Sequence, residues 1–100
     1  MKMYILVKDS IPVGNAMVAA AHASIACFLK FERRPGMLAW ISGPFYKTIC
    51  KVTDSEFEAA KVTPDHVVIT ESSLDGQEVA LAFLPREDWP KSFKFLKLYK

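Results

Sequence analysis

Residues 11–31 read IPVGNAMVAAAHASIACFLKF, and the fold turns on whether this stretch is a helix or a strand. Apolar residues run without a break far past strand length, which predicts a helix from about Asn15 to Phe31. Ser10, Pro12 and Gly14 are helix-start signals, and Asn15 next to Gly14 has the chemistry of a cap. Pro35 and Gly36 stop the pattern, because the residue before a proline avoids helical geometry. The helix is built almost wholly from alanine and larger apolar residues, with only Asn15, His22 and Ser24 polar before Lys30. Seven positions turn a helix by roughly 700°, so Asn15 and His22 differ by only about 20° and share one face, roughly 10 Å apart along the axis. The opposite face, with Met17, Ala20, Ala21, Ser24, Phe28 and Phe31, is expected to pack on a sheet.

Working outward, KMYILVK at 2–8 reads as a buried opening strand. MLAWIS at 37–42 reads as a short second helix closed by Gly43 and Pro44. FYKTICKV at 45–52 alternates and predicts a strand. Thr53-x-x-Glu56 is a capping-box pattern, so a third helix is expected to begin near Asp54. HVVITES at 66–72 and EVALAFLP at 78–85 are two further strands, and Asp75-Gly76 between them predicts an antiparallel hairpin. A short helix is expected after Pro90. The order is β-α-α-β-α-β-β-α: an α/β fold in one domain over residues 1–100, with a mixed four-stranded sheet flanked by helices.

Composition bounds the rest. A chain of 100 residues, about half apolar and a quarter charged, suits one soluble globular core. The apolar stretch Ala16–Leu29 is too short to span a bilayer, and the N-terminal run lacks a small-residue cleavage site, so a cytoplasmic protein with no membrane partner is expected. Cys27 and Cys50 are too few for a disulfide framework and have no zinc spacing, so buried thiols, no metal and no cofactor are expected. The net charge of +2 does not itself imply nucleic acid. Its placement is more suggestive, since KSFKFLKLYK at 91–100 holds Lys91, Lys94, Lys97 and Lys100 and no acid. The sequence has no phosphate-binding glycine loop, no HExxH and no GxSxG. Asp9, Ser10 and His22 therefore lack the elbow that would make a hydrolytic triad of them. Glu71, Ser72, Ser73 and Asp75 follow the third strand at its carboxyl end, where open α/β sheets place ligands.

The stretch GNAMVAAAHASIA at 14–26 resembles the first helix of the peptidyl-tRNA hydrolase type 2 family, whose pattern is Gly-Lys-x-Ala-Ala-Gln-x-x-His-Ala. Gly14 and His22-Ala23 match it. Trp40, Gly43, KTICKV, DSEFE and the closing FLKLYK are similar to family segments in the same order. The resemblance implies that family's fold and an acyl-ester hydrolase acting on peptidyl- or aminoacyl-tRNA. It implies catalytic roles for His22, Glu71 and Asn15, with Glu71 standing where the family has an Asp after its third strand. Lys8, Gly14, Ala19, Ser72 and Ser73 would meet the substrate, and Lys94 and Lys97 the tRNA phosphates. Asn15 replaces the family's lysine and Ala19 its glutamine, which removes a fixed cation from the site. The alternative is a non-catalytic module on the same fold that binds a small ligand or a protein. Apolar surface on the first helix or the Phe/Leu/Tyr-rich terminus would support a homodimer.

Overall fold

β1 (Met3–Lys8) is apolar on both faces: Met3, Ile5 and Val7 point to one side and Tyr4 and Leu6 to the other, all five buried. Such a strand has to lie inside a sheet covered on both sides. In the computed structural model, which describes residues 1–100, β1 pairs parallel with β2 (Lys47–Val52) and antiparallel with β4 (Gln77–Phe83). The hairpin partner of β4 is β3 (His66–Glu71), antiparallel as the turn chemistry predicts. β5 (Lys97–Leu98) adds to the far side of β2, so the order is β3-β4-β1-β2-β5.

The mixed α/β sheet therefore has five strands, not the expected four. The missing strand is in the closing segment, where Lys91–Phe95 forms a 3-10 turn instead of an α-helix. Leu96 is then extended, and the Tyr99 N–H donates to the Ile49 carbonyl at 2.8 Å, continuing the pairing past β5.

α1 (Val13–Lys30) covers one face of the sheet. Its buried stripe is Ala16, Ala19, Ala23 and Cys27, with Phe31 just beyond its end. This corrects the expected packing face: Met17 is 69% exposed and Ala21 is exposed, while Ala20 and Phe28 only flank the core. The small side chains let the helix axis approach β1 and β4 closely. α1 begins two residues earlier than expected, with Pro12 at the cap position, and Asn15 lies inside the first turn and makes no cap bond. At 18 residues it is long and apolar enough to cross a membrane by length and composition, although its alanine stripe is packed on the sheet.

α2 (Pro35–Ile41) follows, anchored by buried Met37 and Trp40, and the Trp40 indole N–H donates to the Tyr46 carbonyl at 2.7 Å. Gly36 permits this approach, since a Cβ there would stand 2.7 Å from the Pro85 carbonyl oxygen. α3 (Asp54–Ala60) covers the other face with Phe57 and Ala60. Its capping box forms as the sequence predicts: Thr53 Oγ1 accepts from the Glu56 N–H at 3.1 Å, and Glu56 Oε1 accepts from the Thr53 N–H at 2.9 Å. Beside α3, Tyr4, Phe83, Trp89 and Phe93 pack largely edge to face, an arrangement favoured by ring quadrupoles. Cys27 and Cys50 are buried free thiols, and burial pushes the Cys27 thiol up to about 12.

Candidate functional site

β1, β2 and β3 run in the same direction, because β3 and β1 are each antiparallel to β4. Their carboxyl ends lie together, and α1 sets out from that same end. The first turn of α1 consequently meets the end of β3, which brings Asn15 to the segment after Glu71. Asn15 Nδ2 donates to Ser73 Oγ at 3.3 Å. Ser73 Oγ donates in turn to Glu71 Oε2 at 2.9 Å, and the Ser73 N–H donates to the same oxygen at 3.1 Å.

The local chain explains how Ser73 reaches back. Glu71 caps a 3-10 turn over Ser72–Leu74, and Asp75 (φ 56°) and Gly76 (φ 75°) are both left-handed. That reversal lets the Gly76 N–H bond the Glu71 carbonyl at 3.0 Å and aims the turn at α1. The Ser73 N–H, then its hydroxyl, hold the Glu71 carboxyl below its ordinary value against a smaller opposing effect of desolvation. Positive charge on His22 lowers it further, so His22 and Glu71 act on one another electrostatically. Glu71 is thus a carboxylate at neutral pH. His22 is exposed on the same flank of α1 as Asn15.

Four of the residues singled out in the sequence are therefore brought to one place: Asn15, His22, Glu71 and Ser73. The others are not. Ala19 is wholly buried under α1, so no substrate touches it. Lys8 projects from the opposite face of the sheet, 3.8 Å from Asp54 and over the Phe57 ring at 4.7 Å, and cannot stand in for a cation beside Asn15. Lys94 and Lys97 are exposed at the β5 edge, the side of the sheet away from β3. Gly14 is exposed, and a Cβ there would meet nothing within 4 Å. Ser72 is exposed in the turn and supplies only its carbonyl, to the Asp75 N–H. The residue under-read in the sequence is Ser73, which is the hub of the network. Its signal was present, because an acid two residues before a serine at a strand end is a side-chain-to-backbone turn pattern.

The arrangement offers a fixed carboxylate, an exposed imidazole, and an amide with one N–H beyond the one given to Ser73. It lies on an open surface, and the main clefts of the molecule are lined by other residues. Comparison with known protein families finds no match, and neither does comparison with curated proteins.

Proposed function

We propose that this chain is a divergent relative of the type 2 peptidyl-tRNA hydrolases that hydrolyses the acyl ester of peptidyl- or aminoacyl-tRNA. The observation that carries the reading is the Asn15–Ser73–Glu71 chain of hydrogen bonds, with His22 exposed on the same flank of α1 as Asn15. An open site suits an ester at the end of a large substrate. In the proposed reaction the neutral His22 imidazole takes a proton from water as the water oxygen adds to the acyl carbon. Glu71, held ionised by Ser73, balances the imidazolium charge. The free N–H of Asn15 Nδ2 donates to the carbonyl oxygen as it becomes an oxyanion. The ester C–O bond then breaks, and His22 returns the proton to the departing ribose oxygen.

The test is turnover of peptidyl-tRNA by the purified protein beside His22→Ala and Glu71→Gln. Hydrolysis that both substitutions reduce by about a hundredfold or more is expected. Asn15→Lys, which restores the cation of the resembled family, is expected to raise the rate by about tenfold or more. A well-folded sample with no turnover, unchanged in Asn15→Lys, would overturn the reading. It would favour a non-catalytic binding module on the same fold, a second reading motivated by Lys8 lying on the wrong face of the sheet to replace the missing cation.

A further inference from the structure

Lys2 and Arg86 stand directly opposite one another in an antiparallel bridge just before β1. Side chains so paired point to one side with their Cβ atoms about 5 Å apart, and like charges in that position repel. No carboxylate relieves them, since neither residue belongs to any ion pair of the structure. The Arg86 guanidinium is nonetheless held in place. Its Nε–H donates to the Asp88 carbonyl at 2.9 Å, and its centre lies over Trp89, 5.5 Å from the ring centroid. The donors on its two terminal nitrogens have no partner in the protein. The two cations line a cleft of about 400 Å³ with Tyr46, Thr48, Glu87 and Trp89. Glu87 is its only acid, and its ion pair is with the Met1 amino group at 3.8 Å. Lys47 also borders the cleft, but its ammonium is engaged by the Phe45 carbonyl at 3.1 Å. An adjoining cleft shares Lys2 and Thr48, adds Lys94 and has no acid. Trp89 carries the one buried side-chain nitrogen or oxygen without a hydrogen-bond partner, its Nε1. A group of that kind calls for a partner that the fold does not supply.

We propose that this cleft binds the phosphate of a small phosphomonoester, with an attached flat ring lying on Tyr46. A phosphate dianion answers both cations at once, through two-point contact with the Arg86 fork and through Lys2 as a point charge. A carboxylate brings only one charge to the same pair. Thr48 adds a hydroxyl donor. Tyr46 is 66% exposed and its ring pairs with no other aromatic ring, which leaves a face for stacking. The cleft lies at the amino ends of β1 and β2, whereas Asn15 and Glu71 lie at the carboxyl end of the sheet. The six residues of β1 put roughly 20 Å between them. It is a separate site, independent of any hydrolytic activity.

The test is an NMR titration of the ¹⁵N-labelled protein with AMP, ribose 5-phosphate, inorganic phosphate and adenosine, in phosphate-free buffer at about 0.15 M salt. Saturable shifts are expected at the Lys2, Thr48 and Arg86 amides and the Trp89 indole N–H, with none at Asn15 or Ser73. AMP is expected to bind at least about fivefold more tightly than inorganic phosphate, because its base stacks on Tyr46, and adenosine is expected not to bind. Tyr46→Ala is expected to bring AMP down to the level of ribose 5-phosphate. Lys2→Gln and Arg86→Gln are each expected to weaken AMP at least about tenfold, and Arg86→Lys, which keeps the charge and loses the fork, to fall between. Lys91→Gln, at an exposed lysine outside the cleft lining, is expected to change nothing. Weakening by Lys91→Gln equal to that by Lys2→Gln would reduce the effect to overall charge and overturn the proposal. Shifts centred on Asn15 and Ser73, adenosine binding as tightly as AMP, or no saturation at millimolar ligand would each overturn it as well.

Discussion

Glu71 and Ser73 are two residues apart, and their contact sets the charge of the site. With its carboxyl held below the ordinary value near 4.5, Glu71 contributes stability that is fully present above that range and is lost as pH falls through the lowered value. Ser73→Ala removes the hydroxyl donor but keeps the backbone one. The Glu71 titration followed by carboxyl NMR is therefore expected to move up toward the ordinary value without reaching it. A midpoint unchanged from wild type would show that the hydroxyl does not act on the carboxylate. At this scale the sequence was legible where a residue stood out from its surroundings. Asn15 and His22 are polar in an apolar helix, and Glu71 ends a strand. Ala19 was placed at the substrate by its alignment with the glutamine of the resembled family, and the alanines on every side of α1 gave no contrast to mark it as part of the buried stripe.

Among the elements, α3 is the one whose boundary is written in its own residues. The two bonds of the capping box close within four positions, so Thr53 and Glu56 announce the helix without reference to any other segment. Thr53→Ala is expected to cost about 1 kcal/mol, read as a lower denaturation midpoint at unchanged slope. A loss indistinguishable from zero would mean that solvent caps the helix as well as threonine does. β5 is the opposite case. Two residues have no periodicity to read, and they become a strand only because Cys50 and Lys51 of β2 stand opposite them. The 3-10 turn before it is equally a product of context, since Phe93 and Leu96 stand three apart, a spacing that an α-helix would also satisfy. The β3–β4 hairpin was legible because its turn residues and strand lengths are local properties.

Over the whole molecule, a net charge of +2 conceals a separation. Lys47, Lys51, Lys94 and Lys97 lie at the β2–β5 edge, whereas Glu71 and Asp75 stand at the turn between β3 and β4, and Asp65 and Glu78, on or beside those strands, are paired with Arg34 and Lys61. Strands about 4.8 Å apart place the two edges roughly 20 Å from one another. A tRNA with its acyl end at Asn15 and Glu71 would have to cross the sheet to reach the lysines. Replacing Lys94 and Lys97 together by alanine is expected to reduce the salt dependence of tRNA binding by about 1.5–2 in logarithmic slope, leaving single-turnover hydrolysis at saturation unchanged. An unaltered slope would remove these lysines from the interface. The position of β1 has a consequence for the nascent chain. β1 is the strand at the centre of the sheet, yet it leaves the ribosome before either neighbour exists. Its second edge stays bare until Phe83 has been translated, so the native sheet cannot grow outward stepwise during synthesis. A chaperone that holds short apolar segments is therefore expected to find its strongest site at Met3–Val7, in the interval before β4 arrives.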